Sequence, residues 1–236
     1  MKKINLESLF EKVSYDWEKD KKHMEHICSL TKTRVNPNLI GQSSLVFGSE
    51  QTFLLKALAE SIHAKNFFEI GTGRGTACYA ISLISSIEEI HTVDIIPHNE
   101  KQTQAINFEK AIVSNHDLFN LINFDSKEKI SFHHRNDMNK LLDLYDNNFF
   151  DISFIDGNHS IESIIKEDFI ICNTITRDGG LIIFDDYHPK KYKVKKVVDN
   201  LIDTFPDFRF TFINFHGHLF DLENKVEDHG IVVVEK

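Results

Sequence analysis

Cysteine is scarce in this 236-residue chain, and its placement excludes two kinds of scaffold. Cys28, Cys78 and Cys172 are odd in number, far apart and form no C-x-x-C pair. Neither a disulfide framework nor a zinc knuckle is indicated, and the three read as reduced thiols. Basic charge is also short. Lys and Arg total 27 against 36 Asp and Glu, and the net charge of −9 is spread along the chain rather than packed in a tail. A duplex-binding protein needs a basic face to neutralise phosphates, which this balance disfavours, so no nucleic-acid partner is expected. No apolar run approaches the ~18 residues that span a bilayer. Met1-Lys2-Lys3-Ile4-Asn5 leads into charged residues and not into an apolar signal core. The expectation is a soluble, cytoplasmic protein with no membrane partner. Internal repeats and low-complexity tracts are absent as well. What remains is globular: 41% hydrophobic and 11% aromatic residues, in a length that suits one large α/β domain with an appendage.

The rest of the chain is organised around Asn66-Phe67-Phe68-Glu69-Ile70-Gly71-Thr72-Gly73-Arg74-Gly75-Thr76. This reads as a buried strand ending in an acid, then a glycine-rich turn, then a helix. Such a turn lets backbone N–H groups approach a ligand, and the helix start adds more. Glu69 repels pyrophosphate but suits a ligand bearing an ammonium or hydroxyls. From residue 66 onward strand and helix alternate, with strands at 66–70, 89–94, 129–134, 149–155 and 181–185. Helical stripes run between and after them (Ile161, Ile164, Ile165, Phe169, Cys172; Val194, Val197, Val198, Leu201), and the long 101–123 stretch is read as one or two helices. Alternation of this kind predicts a Rossmann-like, doubly wound, mostly parallel sheet. Residues 208–215 and 230–235 add an antiparallel hairpin at its edge, for seven strands in all.

Ahead of this, residues 1–48 are expected to form a helical extension or cap on a domain spanning 49–236. Leu6, Leu9, Phe10, Val13 and Trp17 keep helical spacing in pieces. Asn36-Pro37-Asn38 and Gly41-Gln42-Ser43-Ser44 are loop-like, and an amphipathic helix follows on Phe53, Leu54, Ala57, Leu58 and Ile62. His23-x-x-His26 has a formal metal spacing, but Lys21, Lys22 and Glu25 around it favour a solvated helix face.

In an open parallel sheet, ligands sit beyond the carboxyl ends of the strands. The five strand ends here deliver Glu69 with the glycine turn, Asp94, Asn136-Asp137, Asp156-Gly157-Asn158-His159, and Asp185-Asp186-Tyr187-His188. Acids close single strands as helix caps or turn formers; at all five ends together they point to a site. Asp94, 23 residues after Gly71, is placed to accept from ribose hydroxyls. Asp137 suits an adenine amino group. Gly71-x-Gly73-x-Gly75-Thr76 lacks the third glycine of a dinucleotide fingerprint, and no Tyr-x-x-x-Lys dyad follows. A nicotinamide-dependent oxidoreductase therefore ranks behind other readings.

Phe67 to Gly73 resembles the first motif of class I S-adenosylmethionine-dependent methyltransferases. Gly48 to Leu54 is similar to the preceding helix of catechol and caffeoyl-coenzyme A O-methyltransferases. Phe150 to Ser160, together with Gly179 to Tyr187, resembles the metal-dependent macrolide-sugar O-methyltransferases. The resemblance covers residues 48–188. It implies that Glu69, Gly71, Thr72 and Gly73 hold the methionine part of S-adenosylmethionine, that Asp94 takes the ribose and Asp137 the adenine, and that Asp156 borders the cofactor. It also implies that Asp156, Asp185 and Asp186 bind a divalent cation, with His159 as general base. In the sugar-modifying enzymes the first acid of the last pair is Glu, one methylene longer than Asp185.

An all-oxygen set of this kind favours Mg²⁺ or another hard divalent cation over zinc. The implied reaction is methylation of a hydroxyl on a small-molecule acceptor, a sugar, polyketide or catechol-like unit. A metal-independent methyltransferase acting on nitrogen or RNA is the alternative, disfavoured by the missing basic face and by the lack of an amine-binding Pro-Pro-Tyr motif. A non-catalytic cofactor-binding module is disfavoured by the ionisable cluster. His188 is read as a pocket wall, His216 and His218 as rim residues. The helical segment before residue 66 could cover the site or pair with a second copy in a homo-oligomer.

Overall fold

Phe67 and Phe68 are both fully buried, yet they belong to two separate core clusters. Successive side chains of a strand point to opposite faces, so a strand buried in both directions lies in the middle of a sheet covered on both sides. The computed structural model describes residues 1–31, 50–106, 109–145, 148–215 and 229–236. Its elements are β1 (Lys2–Asn5), α1 (Leu6–Val13), α2 (Trp17–Leu30), α3 (Glu50–Ser61), β2 (Asn66–Ile70), α4 (Thr76–Ser82), β3 (Glu89–Asp94), β4 (Gln102–Ile106) and β5 (Glu109–Val113). There follow α5 (Asn115–Leu121), β6 (Ile130–His134), α6 (Met138–Leu144), β7 (Phe150–Ile155), α7 (Glu162–Ile175), β8 (Thr176–Tyr187), α8 (Val194–Thr204), β9 (Arg209–Asn214) and β10 (Gly230–Glu235).

Eight strands form the main sheet in the order β1-β9-β10-β8-β7-β2-β3-β6. The run β8-β7-β2-β3-β6 is parallel, while β10 is antiparallel to both β8 and β9. From β2 the chain winds outward through β3 to β6, then returns to β7 on the other side. Strand order thus reverses between β2 and β7, which opens a crevice at their carboxyl ends.

The α/β class, the doubly wound parallel centre and the antiparallel hairpin agree with expectation, and two details differ. The sheet has eight strands and not seven, because β1 pairs in parallel with β9, Lys2 facing Thr211 through to Asn5 facing Asn214. The hairpin therefore does not form the edge. A four-residue strand with a single apolar residue is too short to show a period. The second difference is in the 101–123 stretch, where β4 and β5 form a separate antiparallel pair and only α5 is helical. Ile112, in β5, is 69% exposed. An apolar residue that never reaches the core carries no usable periodicity.

On one face of the sheet α3 and α4 pack with Phe67, Ile90, Phe154 and Ile183; on the other Phe169, Val197 and Val198 of α7 and α8 pack with Phe68, Ile182 and Phe184. The N-terminal helices join the first cluster through Leu6, Leu9, Phe10, Met24 and Ile27. That is why α3 is buried nearly all round rather than along one stripe. Its Lys56 is sealed against Asp20 of α2 at 2.8 Å, and the Tyr15 hydroxyl donates to the same carboxylate at 2.5 Å. His23 and His26 are exposed on α2, as a solvated face requires. The three thiols are free and buried, and burial pushes Cys28 up to about 12. Among the described residues no helix is long and apolar enough to cross a membrane. The loop-like segments around Asn36-Pro37-Asn38 and Gly41–Ser44, and His216 with His218, lie outside the described residues.

At the opposite end of the sheet from the crevice, Asp151 ties three strands together. Its Oδ2 accepts from Lys65 N–H at 2.7 Å and Asn66 N–H at 2.9 Å, and its Oδ1 from Arg177 Nε at 2.5 Å. Burial pushes this carboxyl up, but Arg177 and the two backbone donors outweigh it and hold it below the ordinary range. A depressed carboxyl stabilises the fold above its unfolded value near pH 4 and stops doing so as pH falls through the folded value. Asp151→Ala leaves two backbone donors and a guanidinium without their acceptor. It should lower unfolding free energy by about 2–4 kcal/mol, read as a shifted urea midpoint at unchanged slope. The gap between wild type and variant should narrow as pH falls from about 4 through the folded value; a gap with no pH dependence over that range would show that the carboxylate charge is not what matters.

Candidate active site

The crevice begins with a backbone contact. Gly71 leaves β2 at φ +103°, and its N–H donates to Val93 O at 2.8 Å. A Cβ there would lie 2.1 Å from the carbonyl oxygen of Asp156, whose own N–H donates to Ile70 O at 2.8 Å. Only glycine lets β2 and β7 end this close together. Gly73, at φ +52°, serves differently, since a Cβ there would meet nothing within 4 Å. Its backbone borders open space, and a ligand could lie directly against it.

Glu69 lies beneath this turn, buried, and its Oε2 accepts from the Thr92 hydroxyl at 2.5 Å. Because Thr92 donates there, the Thr72 hydroxyl must be the donor in its 2.7 Å contact with Thr92. Burial pushes Glu69 up to about 8, with Asp94 adding to the rise and Thr92 opposing it. Asp94 braces the loop: Oδ2 accepts from Gly73 N–H and Oδ1 from Ile96 N–H, both at 3.0 Å. Asp137 begins α6, and its carboxylate is taken by Lys140 at 2.6 Å. The structure therefore joins Glu69, Gly71, Thr72, Gly73 and Asp94 in one unit, while Asp137 is tied to its own helix.

The acids that end β7 and β8 converge. Phe184 faces Val232 and Tyr187 faces Gly230, so Asp185 and Asp186 together oppose the single residue Ile231. This is a β-bulge, and Asp186 takes φ +56° within it. Strand residues normally alternate faces. The bulge breaks that alternation and brings oxygens of both acids and of Asp156 within 4.8 Å of one another. Asp156 is raised well above the usual carboxylate range by burial, then by the charges of Asp185, Asp186 and Glu69, and by its hydrogen bond to Asp185. Asp185 is pushed to about 7 by burial and by Asp186, with Asp156 and the Gln51 amide pulling the other way. Burial and crowding thus disfavour the charged form of both Asp156 and Asp185. Three carboxylates gathered this closely are a set that a hard cation fits.

His159 stands beside them, its Nδ1 3.1 Å from Asp186 Oδ2. Asn158 makes the turn that brings it there, its Oδ1 accepting from Ser160 N–H at 2.9 Å and Ile161 N–H at 2.7 Å before α7 begins. A cavity between the strand ends is lined by Asp156, Gly157, His159, Phe184, Asp185 and Asp186. Tyr192 packs edge-on against His159, ring centres 4.4 Å apart. The His188 ring contacts Tyr192 and His229.

Two residues of the site escape sequence reasoning. The Gln51 amide donates to Asp185 Oδ2 at 2.6 Å from α3. The buried His229 places Nε2 3.5 Å from Asp186 Oδ1, just ahead of β10. A polar residue beside the apolar stripe of α3 was a usable signal for Gln51. His229 precedes a plain apolar strand and offered none.

A protein-family profile described as "Methyltransferase domain" matches residues 68–187, from the buried strand before the glycine turn to the residue after Asp186. Comparison with curated protein sequences gives no match. Among solved structures, a protein from Klebsiella pneumoniae assigned as an O-methyltransferase superposes with a TM-score of 0.58 at 15% identity, covering 90% of this chain and 88% of its own. The O-methyltransferase TomG from Streptomyces achromogenes, involved in tomaymycin synthesis and solved with S-adenosylmethionine, gives 0.57 at 15% identity, covering 91% and 87%. An O-methyltransferase from Bacillus cereus in complex with S-adenosylhomocysteine gives 0.55 at 19% identity, covering 91% of both chains. At such identities the likeness is one of fold. The profile, however, takes in 120 of 236 residues, more than half, so the chain belongs to the methyltransferase domain family and its sheet is that of the class I, S-adenosylmethionine-dependent enzymes.

Proposed function

We propose that the protein transfers a methyl group from S-adenosylmethionine to a hydroxyl of a small molecule, with a divalent cation assisting. The observation that carries this reading is the pairing of His159 Nδ1 with Asp186 Oδ2 at the edge of the three-acid cluster, one strand from the glycine turn. A hydrogen bond from Nδ1–H to Asp186 fixes the imidazole tautomer and leaves Nε2 with the lone pair a general base needs. The open backbone at Gly73 and the buried carboxyl of Glu69 suit the methionine part of the donor, and Asp94 suits its ribose. A hard divalent cation such as Mg²⁺, held by Asp156, Asp185 and Asp186, would supply the charge that brings a hydroxyl within reach of a base near neutral pH. Gln51 and His229 hold Asp185 and Asp186 in place for it. The sulfonium is itself an activated leaving group, so the task left to the chain is alignment and removal of one proton. The reading as a nitrogen or RNA methyltransferase gains no specific observation.

Three outcomes test this. At pH 7 in chelator, Glu69 is mostly protonated, and an ammonium beside it favours the charged form. Calorimetric titration with S-adenosylhomocysteine in buffers of different ionisation heat should report release of about one proton, and Glu69→Gln should abolish it. Buffer-independent heats in wild type would place the ammonium elsewhere. Methyl transfer should stop in chelator and return with Mg²⁺, with Asp156→Asn at least ~100-fold slower; turnover that persists in chelator removes the cation from the mechanism. His159→Ala should lower kcat by about 10²–10⁴-fold while S-adenosylhomocysteine binding is kept. Undiminished turnover in that variant ends the assignment of His159 as base.

A further inference from the structure

Five of the seven residues from 190 to 196 are lysine, in a chain whose net charge is −9. Two of the five are accounted for by pairing, Lys195 with Asp199 and Lys196 with Glu162. Lys190, Lys191 and Lys193 are exposed, and among the described residues no carboxylate lies within ion-pair distance of any of them. Their segment borders the three-acid cavity, whose lining includes His159 and Val194. Lys193 N–H donates to the carbonyl of His159 at 2.8 Å. Lys190 and Lys191 N–H donate to His188 Nδ1 at 3.1 and 3.0 Å. The Lys191 ammonium lies 4.5 Å from the centre of the Tyr192 ring, whose edge meets His159. An unbroken line of contacts therefore runs from Asp186 through His159 and Tyr192 to the lysines.

The acids of the site do not explain this charge. Asp185 is held by Gln51, and Asp186 by His159 and His229. Lys193 acts on Glu162 at longer range, but with no carboxylate in ion-pair contact the three charges raise the local concentration of an anion, and ammonium groups on flexible stems suit a phosphoryl group as point charges.

We propose that the acceptor is a small hydroxyl compound carrying a phosphate or diphosphate, which Lys190, Lys191 and Lys193 bind while its hydroxyl faces His159. This rests on the assignment of the three-acid cavity as the acceptor site. The aromatic edges of Tyr192 and His188 then flank the body of the acceptor, and the lysines select for its charge.

The test uses the full chain saturated with S-adenosylhomocysteine, in chelator and at low ionic strength, titrated with inorganic pyrophosphate. Saturable binding is expected, weakened at least ~10-fold in K190Q/K191Q/K193Q at unchanged melting temperature, and weakened in wild type by added salt. Absence of saturable binding, or equal binding by the triple variant, overturns the proposal. An RNA hexamer that binds more tightly than pyrophosphate through the same lysines overturns the assignment to a small molecule. Binding of S-adenosylhomocysteine is measured separately in the same protein. Its loss would refute the methyl-donor reading and leave the pyrophosphate result interpretable by itself.

Discussion

The site depends on how closely two backbones can approach. Where β2 and β7 end, the α-carbon of Gly71 lies against the carbonyl of Asp156, and a single added carbon would sit 2.1 Å from that oxygen. This approach does two things. It places the glycine turn and the first acid of the cluster on adjacent strands, so that a donor on one and an acceptor on the other would be neighbours. It also leaves nothing between them that a side-chain rotation could remove, because both partners are main chain. Alignment of nucleophile, methyl and sulfur is the chief demand of methyl transfer, and a backbone joint meets it with little conformational freedom to lose.

Electrostatics is the second constraint. Glu69, Asp94, Asp156, Asp185 and Asp186 crowd the carboxyl ends of three adjacent strands and of the β3 strand beside them. Each is managed separately: Thr92 for Glu69, two backbone N–H groups for Asp94, Gln51 for Asp185, two imidazoles for Asp186, and for Asp156 a carboxyl raised by burial and its neighbours' charge. No lysine or arginine of the described residues forms an ion pair with any of the five. A fixed basic partner would neutralise the acids permanently. Neutral donors instead leave them able to accept positive charge, as the proposed function requires.

Much of this arrangement was legible in the chain because parallel-sheet strands buried on both faces write continuous apolar runs, and β2, β3, β7 and β8 each carry an acid at or beside the carboxyl end of theirs. The resemblance implied a shared role for Asp156, Asp185 and Asp186, and β7 and β8, which carry them, are neighbours. What the pattern could not carry was local or very distant. The bulge at Asp186 depends on pairing with β10, nearly 50 residues later, and an alternating pattern cannot show where alternation fails. Gln51 reaches Asp185 across 134 residues of sequence. The strand Lys2–Asn5 and the β4–β5 pair were missed for the opposite reason. Lys2–Asn5 has one apolar residue, and Ile112 of β5 stays exposed, so hydrophobicity marks these strands weakly.

Those distant contacts determine how the site is assembled. Asp185 is held from α3 and Asp186 from His229, just ahead of the final strand β10. Neither acid is positioned by its own strand alone. The bulge that turns both toward Asp156 has Asp186 at a positive φ, a conformation that costs a non-glycine residue of order 1 kcal/mol or more. That cost is tolerated only when surrounding contacts over-determine the backbone. The β8–β10 pairing supplies the bulge, and the two histidines supply the grip on its carboxylate. The acid cluster can therefore exist only once α3, β7, β8 and β10 have all come together. The geometry of the three carboxylates is therefore a product of tertiary pairing and not of either strand by itself.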